Sequence, residues 1–539
     1  MNARSEERRQ GRRLPKAWRN VLVLVSVLAA IALFYAEEDW RGKRAWGKYA
    51  KELAARGEAV AASQLVPPPV PDDENFAMTP FLAPLFDFEP GTQKWRDTNA
   101  FARLQNFPLE FNAASSEVKT PNSMRSNSWI GVPIDLRAWD VALQQGTNSR
   151  KSTETRVVSN NLTTAEAAAG VLASLERYDA TIEELRTASR RSWSRFKLSY
   201  DYPDPAAVLL PHLALLKRTS QLLNVRAAAE LGVGKTGPAV EDINLMFYLA
   251  ESIRDEPILI SHLVRIAESQ IALQAVARGL ASHQWSDAQL AGFEERLAKF
   301  NFCADGRRAL AGERVVFGGG VIDYVRNAPN KFRVLESFGG MSDRQNSGVD
   351  PVPVIYALAP DGWLYFEKLN YNRAFQDFLV PALDASNRRV SPEASRKAAG
   401  KIEAIVKQRG PGLFLRHQFF VGFLMPALSK AIQRTAFAQA AVDEAAVACA
   451  LERHRLAHGA YPDSLEALAP QLIAQVPHDV ITGQALKYRR AADGQYVLYS
   501  VGWNEKDDGG VVAVNDSGKA MDAENGDWVW TLIPAAHAD

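Results

Sequence analysis

The stretch Val21 to Ala36, reading VLVLVSVLAAIALFYA, carries no charge, and Ser26 and Tyr35 are its only polar interruptions. A helix from Trp18 to Ala36 is roughly 28 Å long at 1.5 Å per residue, close to one hydrocarbon core. Trp18 and Tyr35 stand near its two ends, where aromatic rings favour the membrane interface. Ahead of it lie Arg4, Arg8, Arg9, Arg12, Arg13, Lys16 and Arg19, diluted only by Glu6 and Glu7. Behind it come Glu37, Glu38 and Asp39, then a weaker basic patch of Arg41, Lys43 and Arg44. This lysine and arginine excess is expected to hold the N-terminus in the cytoplasm and to place the bulk of the chain outside it. The expected location is therefore the bacterial inner membrane, with a periplasmic body. A cleaved signal peptide is the rival reading, because Ala30-Ile31-Ala32 offers a small-x-small site. The long basic region and the apolar run continuing past that site favour an uncleaved anchor.

A chain of 539 residues exceeds what one core usually holds, so several domains are expected. The formal charge is +1 and no long basic run lies outside the N-terminal tail, which argues against nucleic acid as a partner. Cys303 and Cys449 are the only cysteines, too few for a disulfide framework, and two separate buried thiols are expected.

The expected order is a basic tail (1–19), the span (20–36), a juxtamembrane helix (37–65), a proline-rich irregular segment (66–160), an α-helical scaffold (161–410) and an α+β module (411–539). The fold class is thus mainly α. Trp40 to Ser63 reads as helix, with Trp46, Tyr49, Leu53 and Val60 on one face. Val66-Pro67-Pro68-Pro69-Val70-Pro71 forces an extended connector. Prolines break every run from Asp72 to Asn160, leaving one short helix at Trp139 to Gln145, while Phe76, Phe81, Phe86 and Phe88 are expected to pack down. Thr163-Thr164-Ala165-Glu166 reads as a helix start. Apolar spacing then predicts helices over Thr164–Phe196, Pro205–Leu231, Pro238–Arg254, Pro257–His283, Ser286–Phe300 and Arg307–Arg326. A loop is expected over Asn327–Pro360, with helices resuming at Trp363–Ala385 and Pro392–Gln408.

From Leu413 a helical pattern runs to His458 around Pro426, and Gly459 is placed to cap it. Gly459-Ala460-Tyr461-Pro462-Asp463-Ser464-Leu465-Glu466-Ala467-Leu468 follows, then strands at Leu486–Arg490 and Tyr496–Ser500, then the turn Gly502 to Gly510. Ala436, Ala440, Val447, Leu451 and Leu456 form a stripe for a small sheet to cover. These features resemble the head domain of the type II secretion major pseudopilin and its type IV pilin relatives. That resemblance implies a long helix under a small antiparallel sheet and an acidic Ca2+-binding loop, with Asn504, Asp507 and Asp508 supplying side-chain oxygens. It also implies a secretion or pilus component as partner. A hydrogen-bonded turn is the alternative for the same residues, and Asp479 is followed by Val480 where the family carries proline. The pilin's N-terminal helix is internal here, interrupted by Arg416 and His417, so processing and polymerisation are not implied. The whole layout resembles membrane-anchored bacterial proteins of unassigned function, so no activity carries over.

Other motifs dissolve on inspection. Gly234-Lys235-Thr236 lacks the strand-loop-helix setting of a phosphate loop, so no nucleotide is expected. Ser194-x-x-Lys197 with Lys235-Thr236-Gly237 is too closely spaced for a penicillin-binding enzyme. His454 and His458 lie one turn apart without a third ligand. Gly318-Gly319-Gly320 reads as close packing. The favoured function is a scaffold presenting a pilin-like head to a protein partner. The alternative is an exported hydrolase with a cleft near residues 313–360, where Glu313 and Asp323 fall.

Overall fold

In the computed structural model the apolar stretch is the first half of one helix, α1 (Lys16–Ala55). The structure describes residues 16–108, 134–148, 162–339, 352–407, 414–515 and 521–530. The tail before Lys16, much of the proline-rich segment, part of the Asn327–Pro360 loop and the Gly410-Pro411-Gly412 break lie outside these. Every side chain from Lys16 to Ala36 is exposed, and α1 is the one helix among the described residues long and apolar enough to cross a membrane. The juxtamembrane helix stops at Ala55 rather than Ser63. Gly57 adopts φ +76, and the Glu58 N–H reaches back to the Leu53 carbonyl, the left-handed glycine stop of a helix end.

Beyond the apolar stretch, α1 crosses α14 (Asp361–Ala374) with backbones in contact. A Cβ on Gly42 would lie 2.3 Å from the Gly362 carbonyl oxygen, and one on Gly362 would lie 2.0 Å from that of Glu38. Asp39 accepts the Gly362 N–H at 2.7 Å, so one helix caps the start of the other. Tyr49 and Leu53 then close over Leu369.

The scaffold helices follow the predicted order with shorter spans. They are α4 (Thr164–Leu175), α5 (Asp179–Ala188), α6 (Pro211–Gly232), α7 (Thr236–Ser252), α8 (Leu259–Ala281), α9 (Asp287–Leu297), α10 (Phe302–Gly312) and α11 (Gly319–Asn327). Thr163 and Glu166 form the reciprocal cap read from the sequence. The predicted helix Thr164–Phe196 divides at Glu176–Tyr178 and ends by Ser189, where the chain turns to pair Trp193 with Asn75. A π-helical turn, Glu313–Gly318, joins α10 to α11. The expected loop Asn327–Pro360 instead contains α12 (Lys331–Gly339) and α13 (Val352–Leu358), with Asn330 accepting the Arg333 N–H at the start of α12. In the proline-rich segment, α2 (Thr98–Gln105) and α3 (Leu136–Asn148) form, and Phe76 is fully buried edge-on to Tyr248.

After α14 the chain makes the pair β1 (Leu383–Asp384) and β2 (Arg389–Val390), then α15 (Pro392–Val406). The expected helix through Pro426 is broken there into α16 (Phe419–Leu424) and α17 (Leu428–His458), because proline removes a helical N–H and crowds the preceding turn. Gly459 caps α17 at φ +78. Helix α17 is buried on nearly every side: it packs on α8, α9 and α10 and under the sheet of β3 (Lys487–Arg490), β4 (Tyr496–Ser500) and β7 (Trp528–Trp530). The three strands are antiparallel in the order β3-β4-β7, with Leu498 opposite Trp530. A second pair, β5 (Val512–Val514) and β6 (Met521–Gly526), lies beside them. Of the predicted stripe, Ala436, Ala440, Val447 and Leu451 are buried, but Leu456, two residues before the helix end, is exposed. The N-terminal half of α17 belongs to one large apolar cluster and the C-terminal half to another, so this helix joins the two. Cys303 and Cys449 are buried, unpaired, and sit one in each cluster.

Candidate functional site

A cleft of about 910 Å³ opens between the end of the α1 connector, the Tyr200–Pro205 loop, the π-turn and α11 to α12. Asp201 and Asp323 supply its acids and Lys368 and Arg333 its bases. Asp323 is held by Lys368 at 2.5 Å and Arg326 at 2.8 Å, so its oxygens are already taken by cations. Glu313 is not at the cleft wall; its burial on the π-turn pushes its carboxyl up to about 7. Gly318 lets the Tyr371 hydroxyl approach the turn, where a Cβ would sit 2.0 Å from it, and Gly320 admits Pro205. The glycine triplet therefore serves packing, as its sequence setting implies.

Tyr200 is also a wall of a second, smaller cavity of about 190 Å³, closed on one side by Pro67, Pro68 and Pro69. On its lining, Glu256 accepts from Ser261 Oγ and pairs with His212 Nε2 at 2.9 Å. His212 is fully buried and stacked on Phe196 at 4.3 Å. The three residue types match a catalytic triad, but the order does not. The carboxylate stands between serine and histidine, so the imidazole does not touch the hydroxyl, and the Ser-His-Asp mode of activation needs that contact. Local sequence gives no hint of this cluster, because its members come from two helices and the loop between α7 and α8. Ser194 and Lys197 line the same small cavity, with Lys197 paired to Asp72 at 3.0 Å, while Lys235 and Thr236 stand at the α6–α7 turn and do not line it. The His454 and His458 rings stack at 4.1 Å and each bonds a backbone carbonyl through Nδ1.

The acidic turn follows β4. Asn504 Nδ2 donates to Asp508 Oδ2 at 2.8 Å, and Asn504 Oδ1 accepts the Lys506 N–H. Asp507 faces elsewhere, accepting the Tyr499 hydroxyl at 2.8 Å and pairing with Lys487 at 3.1 Å. Asp527, fully buried and not singled out in the sequence, holds the turn from below by accepting the Asp508 and Gly510 N–H groups. Each of the three predicted oxygen donors thus already has a partner within the turn or on a neighbouring strand. A calcium ion fits here only if Asp507 exchanges Lys487 for the ion. Among the described residues no three His, Cys, Asp or Glu side chains converge as a metal cage.

Asp479 and Glu444 form a buried carboxylate pair between α17 and the sheet. Asp479 accepts from Ser500 Oγ at 2.9 Å and from the Ile481 and Val501 N–H groups, and Glu444 accepts the Ser500 N–H at 3.0 Å. Burial first, then the Asp479 charge, raises the Glu444 carboxyl well above its ordinary value. An acid raised in this way stabilises the fold below its unfolded pKa of about 4.3 and loses that contribution as pH rises toward the folded value. Glu444→Gln keeps the oxygen that accepts from Ser500. It should match the native protein at pH 4 and exceed it at pH 8 by roughly 1–3 kcal/mol in urea unfolding, the desolvation penalty it removes. Equal stability of both proteins at pH 8 would show that Glu444 is not strained by ionisation.

Compared with known proteins, the chain matches no family model, no curated protein and no solved structure.

Proposed function

We propose that this chain is a single-span protein of the bacterial inner membrane, with its N-terminus in the cytoplasm and its helical body outside, and that the body serves protein–protein contact. The observation that carries the reading is the unbroken passage of α1 from its exposed apolar half into the backbone contact at Gly42 and Gly362. A body welded to its anchor is held at one height and orientation above the bilayer, which suits a scaffold. The pilin-like head is the proposed contact surface, where Val511, just before β5, and Val514, its last residue, stand exposed. Protease should digest the body once the outer membrane is permeabilised while sparing it in intact cells. Affinity capture from solubilised membranes should recover a secretion or pilus component. Digestion only after the cytoplasm is opened would reverse the topology, and capture that recovers no such component would remove the head's role.

Calcium at Asn504, Asp507 and Asp508 belongs to the same proposal. Millimolar Ca2+, the range of extracytoplasmic modules, should raise Tm. Lys487→Met should enlarge the rise by releasing Asp507, and Asp508→Asn should abolish it. A Tm unmoved by Ca2+ in the native protein retires the site.

The cleft favours a second reading, an exported hydrolase working near residues 313–360. Turnover of ester, peptide or glycoside substrates that Asp323→Asn abolishes would support it, and no turnover across those classes removes it.

A further inference from the structure

Among the described residues outside α1, the two most exposed large apolar side chains are Leu358 and Leu415, each 68 % exposed. They are far apart in sequence, yet Leu358 lies beside the end of the apolar half of α1 and Leu415 lies beside α14, whose first residues touch α1 there. The Tyr35 hydroxyl donates to the Leu358 carbonyl, which sets the end of α13 against the last turn of the apolar stretch. Val354, one turn earlier on the same face of α13, is also exposed. Leu415 arrives by another route. Asn370 of α14 donates to the Arg416 and His417 carbonyls at 2.9 and 3.0 Å, and the His417 ring stacks on Phe366 at 5.0 Å and meets Trp363 edge-on. Trp363 follows Gly362, which touches the backbone of Glu38. Leu358 is therefore tied directly to the Tyr35–Asp39 stretch of α1, and Leu415 indirectly, through His417 and the start of α14.

Of the three acids in that stretch, Glu37 is exposed and the other two are engaged within the protein. Glu38 is paired with Arg41, and Asp39 is occupied by the Gly362 N–H. We propose that Leu358, Val354 and Leu415 form a second membrane contact: they enter the interface of the same phospholipid bilayer that holds α1, with the exposed Arg416 at the headgroups. The occupant is identified by continuity, since these side chains prolong the exposed apolar surface that the span presents to lipid, at the level where Tyr35 marks the interface. The body is then held down at two sequence-distant points beside its anchor, and α1 cannot swing freely. This inference rests on the membrane-anchor reading.

The test uses the full-length chain in phospholipid nanodiscs. Both native cysteines are buried, so single cysteines introduced as Leu28→Cys, Leu358→Cys, Leu415→Cys and Val511→Cys can be labelled with an environment-sensitive fluorophore. A nitroxide-bearing phospholipid should quench the labels at positions 28, 358 and 415 and leave that at 511 unaffected. The labels at 358 and 415 should also shift to shorter emission wavelength than that at 511. Quenching at 28 with a water-like signal at both 358 and 415 overturns the docking and leaves the anchor standing. Absence of quenching at 28 overturns the anchor and the docking with it. The exposed positions should leave the thermal melt unchanged. Val354→Cys, on the same face, serves wherever a leucine variant fails to fold.

Discussion

Arg265→Ala should cost about 3–5 kcal/mol of stability, the range for removing one partner of a buried ion pair. Arg265 is 1 % exposed in the middle of α8. It donates to Asp305 Oδ2 at 2.7 Å on α10 and to Glu251 on α7, so three helices converge on one guanidinium. The same group lies over the Phe302 and Phe300 rings, at 4.6 and 5.0 Å. Burial already raises the Asp305 carboxyl, and Arg265 is the main influence drawing it back down. Without the arginine, Asp305 either protonates or sits charged in an apolar setting, and either outcome favours the unfolded chain. Arg265→Lys should recover only part of the loss, because an ammonium cannot fork between two carboxylates over two rings. Urea unfolding of the three proteins measures this. A loss for Arg265→Ala below about 1 kcal/mol, the scale of an exposed pair, would show that the network does not hold the helices together.

Gly42→Leu should separate the anchor from the body. The atom that a Cβ meets is the Gly362 carbonyl oxygen, part of a helix backbone that cannot rotate aside. Overpacking in a core costs about 1–3 kcal/mol and sometimes more. A backbone-to-backbone clash stands at the upper end, because the whole of α14 must retreat. The Gly362 N–H then loses Asp39, and Tyr49 and Leu53 lose their cover on Leu369. Gly47 is the internal control. It lies on the same helix, and a Cβ added there would meet nothing within 4 Å, so Gly47→Ala should be neutral or stabilise by up to about 1 kcal/mol through helix propensity. The readouts are thermal unfolding in detergent and limited proteolysis of the Arg56–Gln64 connector, which should become accessible in Gly42→Leu alone. Equal behaviour of the two variants would mean that the crossing does not fix the body.

The span was legible because it depends on one property of a contiguous run. Caps were legible for the same reason, as with Thr163 and Glu166 or Gly459, whose chemistry acts over four residues or fewer. Helix ends set by the third dimension were not. The division after Leu175 and the short helices α12 and α13 lie where apolar spacing is weak and packing decides. The Glu256–His212–Ser261 cluster was invisible because its members are brought together only when α6 lies against α8. At the acidic turn the residues were read in the right place, but the partners were not, since Lys487 and Tyr499 come from neighbouring strands.

By itself the sequence determined a mainly helical chain with one lipid-compatible helix near its start and a long helix followed by antiparallel strands near its end. Hydrophobic periodicity and backbone chemistry are local, and they act before any contact forms. Only the tertiary structure decided that α17 runs from one apolar cluster into the other, that two glycines more than three hundred residues apart let anchor and body touch, and that exposed Leu358 comes to rest against Tyr35 at the end of the apolar stretch. Those outcomes depend on which surfaces exclude water together. That is a property of pairs of distant segments, and no single stretch of the chain carries it.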